Sequence, residues 1–346
     1  KFSENAGSPS CSECAGGYFA PASNTVSCTI CSAGKYSTGA ASSCTDCPEG
    51  YDSSVEGSTG CDACPPGTFT RETCGSDGAC VSDGCVNCDP GFYSSIQGSS
   101  ECTICPVGTY SNGHASSCTV CPAGKFSDQT AVSSCTSCSA GQFSPPQSDR
   151  CYSCAPGYSS VSGSSECTVC GPGSYSAGGA SSCTACEAGY FSEVQASSRC
   201  TACSSGTYTS GPSSTACISC DAGSKSNTAL AATSCETCPA GYYSDGSSNV
   251  CTSCPIGYFA SSTGSASCVA CTKGTYSSVA ASNNCESCAA GKISSTDAAI
   301  ECSLCSAGKV STTGSSVCDS CEPGYFSPTD GLSICSLCLA GTMSSA

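Results

Sequence analysis

Cys-x-x-Cys recurs twenty times along this chain, opening at residues 11, 28, 44, 61, 85, 102, 118, 135, 151, 167, 183, 200, 217, 235, 251, 268, 285, 302, 318 and 335. The step is 16 to 18 residues, and once 24. A unit this short cannot enclose an apolar core, so it must be held by covalent cross-links and by its neighbours. Composition agrees: 42 of 346 residues are Cys, Trp is absent, Met occurs once, and Leu stands only at 230, 304, 332, 337 and 339. Length alone would suggest two or three globular domains. This composition instead predicts small disulfide-rich repeats in an elongated tandem array, a rod or solenoid of short β-hairpin and loop units. It predicts no helices and no large hydrophobic core, since no stretch has a 3.6-residue apolar period.

Counted from the second cysteine of each pair, Gly stands at +3 in all twenty repeats, beginning with Gly17, Gly34, Gly50 and Gly67. An aromatic occupies +5 in fourteen repeats, and Ser occupies +6 in sixteen, replaced by Ala20, Thr70, Thr209 and Ala260. A Gly so placed is expected to take a positive φ in a tight turn. The aromatic is expected to fold over a neighbouring disulfide as the repeat's private core. The Ser-, Thr-, Asn- and Gly-rich remainder suits a second turn and a surface loop, giving two short extended segments per repeat.

Two connectivities fit the spacing. In one, adjacent pairs cross-link in parallel, Cys11 to Cys28 and Cys14 to Cys31, making a two-repeat module that should show as alternating steps. The steps do not alternate, which favours a uniform ladder from the second cysteine of each pair to the first of the next. The ladder joins Cys14 to Cys28, Cys31 to Cys44, Cys47 to Cys61, Cys64 to Cys85, Cys88 to Cys102, Cys105 to Cys118, Cys121 to Cys135, Cys138 to Cys151, Cys154 to Cys167 and Cys170 to Cys183. It continues through Cys186 to Cys200, Cys203 to Cys217, Cys220 to Cys235, Cys238 to Cys251, Cys254 to Cys268, Cys271 to Cys285, Cys288 to Cys302, Cys305 to Cys318 and Cys321 to Cys335. Each loop holds about 15 residues, for which loop-closure entropy predicts roughly 3 kcal/mol of stabilisation. In this scheme each x-x is the joint between stapled loops, and each repeat touches mainly its neighbours.

The 24-residue step carries two extra cysteines, expected to form a Cys74 to Cys80 bridge nested inside Cys64 to Cys85. The chain thus divides into a lead-in (1–10), repeats (11–60), a repeat with the insertion (61–84) and further repeats (85–346). Cys11 and Cys338 are left unpaired by the ladder. Because Cys338 opens a fresh repeat, the array is expected to continue past residue 346; pairing of the end cysteines between molecules is the alternative.

So many thiols persist as disulfides in an oxidising compartment, which places the chain outside the cell or on its surface. The net charge of −16, with only ten Lys and Arg, argues against nucleic acid as a partner. No apolar run is long enough for a membrane segment in this piece. Zinc-ribbon spacing is approached by the paired Cys-x-x-Cys motifs, but few basic residues and Ser-rich loops weigh against metal, and no cofactor is implied. Asp77 and Asp83, each before Gly, read as turn residues rather than calcium ligands. His114 is the only histidine and stands in an ordinary loop, so no Ser-His-Asp or Cys-His constellation is available and no enzyme is read here. No Asn-x-Ser/Thr sequon occurs, which leaves O-linked glycans on the exposed loops as the available modification.

CPVGTYS (105–111), CPAGKFS (121–127) and CPAGYYS (238–244) resemble the ephrin-receptor-like cysteine-rich repeat, also described as the GCC2/GCC3 repeat, and the likeness extends over essentially the whole chain. The C-P-x-G-x-[YF] opening is also similar to the first submodule of tumour-necrosis-factor-receptor cysteine-rich domains, whose cysteines pair along one loop; that likeness implies the ladder. The second, crossed-disulfide submodule of those receptors is missing, which puts their mode of ligand binding in doubt. The resemblance implies extracellular spacers, adhesion regions and receptor stalks. Two readings follow: a building block of an extracellular filament, sheath or surface appendage, such as a protist flagellar hair or cell-coat fibre, self-associating with sister chains; or the stalk or ligand-binding ectodomain of a surface receptor or adhesin.

Overall fold

The computed structural model describes residues 10–23, 25–74 and 80–343, with the side chains of 74 and 80–82 outside the description. Every regular element among them is a β-strand, and each strand pairs antiparallel with a single partner in a two-stranded sheet. Tyr18–Phe19 pairs with Thr29–Ile30 in the first repeat, and the same register recurs down the chain to Tyr325–Phe326 with Ser336–Leu337. Position +4 of a repeat lies opposite the second x of the next Cys-x-x-Cys, and +5 opposite the first.

The x-x pair is therefore the return strand of a hairpin, not a joint. The reason is the backbone: the second cysteine of the next pair donates its N–H to the carbonyl of the +3 glycine, as Cys31 does to Gly17 at 2.8 Å, extending the ladder past the strands. On the other side the chain reverses through a turn closed by Tyr18 N–H to Ala15 O at 3.1 Å. Gly17 stands third in that turn at φ 83°, a position that side chains resist.

The repeats group into two compact units, Lys1–Val169 with Gly178–Ser182, and Cys170–Ala177 with Cys183–Ala346. Within each unit three contacts recur. The +3 Gly N–H donates to the +6 carbonyl of the next repeat, as in Gly17 to Ser37 and Gly189 to Thr209. A loop residue of the next repeat donates back to the second cysteine's carbonyl, as in Ala40 to Cys14 and Ser213 to Cys186. The third contact skips a repeat. A Cβ placed on Gly17 would lie 1.9 Å from the carbonyl oxygen of Gly57, two repeats on, and one on Gly189 would lie 2.3 Å from Ala231 O. Each repeat thus touches its second neighbour as well as its first, a closer stacking than nearest-neighbour contact requires.

The core also departs from expectation. The +5 aromatics stay half-buried, and Phe326 is 40% exposed. Buried positions belong to the second cysteines, such as Cys105, Cys170 and Cys238, and to the +6 hydroxyls, such as Ser144 and Ser226. Stacked hairpins approach too closely for a ring between them, whereas a sulfur or a hydroxyl fits. Ser37 Oγ donates to Tyr18 O of the preceding repeat at 2.9 Å, and Thr209 Oγ1 accepts from Gly189 N–H at 2.7 Å. Among the described residues no buried side-chain nitrogen or oxygen lacks a partner. A polar group can therefore serve as core because its hydrogen bonds are made.

Candidate functional site

The recurring unit is a disulfide joint built from four positions. The bridge runs from a second cysteine to the next first cysteine: Cys14–Cys28, Cys31–Cys44, and so on to Cys321–Cys335, with Cys64–Cys85 spanning the long step. Most sequence separations are 13 or 14, with Cα atoms 5.5 to 5.8 Å apart. Among the described residues Cys11 and Cys338 are free thiols, the first exposed and the second partly covered. Backbone pairing sets Cys74 opposite Cys80 where Thr68–Cys74 meets Cys80–Asn87; the side chains of that expected nested bridge lie outside the described residues.

One position escaped sequence reasoning. Four residues before the first cysteine of most pairs the backbone again turns left-handed, at Gly57, Gly98 and Gly163 but also at Ala131 (φ 58°), Gln147 (φ 60°) and Ala196 (φ 58°). His114, exposed and at φ 48°, holds the same place, its N–H donating to Cys88 O at 2.8 Å. This residue makes the contact with the second neighbour. Counting backward from the first cysteine, rather than forward from the second, would have exposed its small-residue preference.

Charges are few and local. Lys35 and Asp46 pair across one hairpin at 2.7 Å, and Lys225 and Glu236 across another at 2.8 Å. In the insertion Arg71 Nε donates to Asp83 at 3.2 Å; a hydrogen bond from Thr73, and then that from Arg71, hold the Asp83 carboxyl below the ordinary aspartate range. Tyr276 donates to Glu286 at 2.9 Å, which raises the phenol's pKa. Asp83 is thus an ion-pair residue within the strand Cys80–Asn87, not the turn residue that its place before Gly84 suggested, and Asp77 lies outside the described residues. No group of three or more His, Cys, Asp or Glu able to hold a metal ion occurs among the described residues. An open hollow beside Tyr175, Tyr190, Glu187 and Arg199 is walled by exposed hairpin residues.

The arrangement offers covalent reinforcement at every repeat and a regularly repeated outer surface. The family model described as tyrosine-protein kinase ephrin type A/B receptor-like matches residues 34–80, 108–146, 173–220 and 241–278. No curated protein matches the chain.

Proposed function

Since the chain carries tandem ephrin-receptor-like cysteine-rich repeats, we propose that it is an extracellular load-bearing structural protein, a building block of a filament, sheath or surface appendage. The supporting observation is the placement of the bridges. A disulfide closes each hairpin loop, so tension passes from Cys-x-x-Cys through sulfur to the next Cys-x-x-Cys and never through the loop. The number of disulfides supports an oxidising, extracellular setting. No helix among the described residues is long and apolar enough to cross a membrane.

The receptor-like name of the matching family keeps a second reading in play, the stalk or ectodomain of a surface receptor or adhesin. Electron microscopy of the native protein separates the two. Regular fibres containing this chain are expected. Isolated single molecules at every concentration would remove the filament reading in favour of the stalk.

A further inference from the structure

The cysteine spacing has no two-repeat period, but the hairpin surface has one. Position +4 and its cross-strand partner share a hairpin face, because directly opposed residues project to the same side. Number the repeats from Cys11. In odd repeats of the first unit these positions hold Tyr18 with Ile30, Phe92 with Ile104 and Tyr158 with Val169. Those of the second unit hold Tyr190 with Ala202, Tyr258 with Ala270 and Tyr325 with Leu337. Even repeats hold Lys35 with Asp46, Thr207 with Ser219 and Thr275 with Ser287. Tyr242, Val120 and Ala185 are the even-repeat exceptions, and Lys125, Ser224 and Lys292 the odd ones at +4.

The contact with the second neighbour turns this alternation into a surface. Within the first unit it links repeats 1, 3 and 5 through Gly17 to Gly57 and Gly50 to Gly98, and the Tyr51 ring lies 3.4 Å from the Cβ position of Gly98. In the second unit Gly257 meets Ala298, Gly291 meets Gly331, and Leu304 reaches the Cβ position of Gly331. Odd repeats therefore stack on odd repeats, and each unit carries an apolar tyrosine-bearing column. Exposed aliphatic residues two places before the left-handed loop position, Val55 (64% exposed), Ile96 (66%) and Val194 (63%), border it.

We infer that this odd-repeat column is the face through which a second copy of the chain associates laterally; this rests on the structural reading above. Two features fit a sister chain. The first is area. In the second unit Tyr190, Tyr258 and Tyr325 are 36–42% exposed, and Leu304 and Leu337 are 56% and 65% exposed. At roughly 200 Å² per large side chain these and the bordering loop residues present roughly 600 Å², at the top of what a monomer ordinarily leaves bare. With the backbone between them this approaches the ~800 Å² each partner buries in a stable complex. The second is charge. The chain carries −16 overall, yet no carboxylate occupies +4 or its cross-strand partner in any odd repeat, whereas Asp46 does so in an even one. Copies repel along most of their surface and least along this column; Glu56 and Glu193 stand at its loop border.

Sedimentation of the oxidised chain over a concentration series tests this, with two variants. One replaces Tyr18, Tyr51, Tyr190, Tyr258 and Tyr325 by Thr, which even repeats already carry at Thr207 and Thr275. The other replaces Lys35 and Lys309 by Thr on the even face. Wild type and the even-face variant should associate alike, more tightly as salt screens the net charge, and the tyrosine variant about a hundredfold more weakly or worse. Should the fivefold change prevent folding, Tyr258→Thr with Ala270→Ser gives repeat 15 the surface of repeats 12 and 16 and should weaken association in proportion. An odd-face variant that associates as wild type does overturns this face and leaves the structural reading standing. A wild type that stays monomeric throughout overturns both.

Discussion

At the level of single residues the repeat depends on two left-handed positions, and they differ in what they tolerate. Gly50 (φ 83°) would place a Cβ 2.0 Å from Gly98 O, while Gly163, at the loop position (φ 76°), has open space around it. Gly163→Ala should therefore cost only the positive-φ penalty, about 1–2 kcal/mol. Gly50→Ala should cost several kcal/mol more locally, since backbone must move. Hydrogen exchange at the Cys64 amide, which donates to Gly50, and at the residue 163 amide, which donates to Cys138, measures the two separately. The reverse substitution should help: Ala196→Gly relieves a left-handed alanine at φ 58° and should slow local exchange by up to about 1 kcal/mol. Asp83 supplies the pH test. Its carboxyl titrates below the ordinary range in the folded chain, so its contribution to stability is complete above the unfolded value and is lost as pH falls through the folded one. Thr73→Val and Arg71→Ala should each raise the Asp83 midpoint seen by NMR.

At the level of the hairpin, the repeat unit, its short strands and the lack of helices were legible because cysteine and glycine spacing fixes them without regard to distant packing. The return strand was harder to see. Thr29 and Ile30 sit between two cysteines, and nothing in a two-residue segment distinguishes a joint from a strand. The role of the aromatics was misread for a related reason. Phe19 and Tyr36 look like core residues by type, but whether a ring or a hydroxyl lies between stacked hairpins depends on their separation, which only the three-dimensional structure sets. Since each staple closes its own hairpin, removing one should be a local event. Replacing Cys121 and Cys135 by Ser should loosen that hairpin by about 3 kcal/mol, with faster exchange at Cys138 N–H, the amide bonded to Gly124, and little change beyond the second neighbours. Loss of protection throughout a unit would show that the repeats are not independently stapled.

At the level of the whole molecule, the two-repeat period was present in the sequence all along, in Tyr18, Tyr51, Tyr190 and Tyr258 against Lys35, Thr207 and Thr275. It carried no meaning until the packing of Gly17 on Gly57 showed that alternate repeats share a column. Spacing and surface obey different periods because the disulfide joins first neighbours, whereas the left-handed loop position packs on second neighbours.

The central claim is that every loop is bypassed by a bridge, so that the chain under load behaves as a series of short covalent links. Stretching single molecules tests it directly. With bridges intact, each repeat offers three residues of backbone and one Cα–Cα span of about 5.7 Å, for roughly 16 Å in all at ~3.5 Å per residue. Reductant should then release about 40 Å for each 13-residue separation, and about 70 Å at Cys64–Cys85. An oxidised chain that already yields the roughly 45 Å intervals between alternate cysteine pairs would place the bridges in parallel between pairs and contradict the ladder.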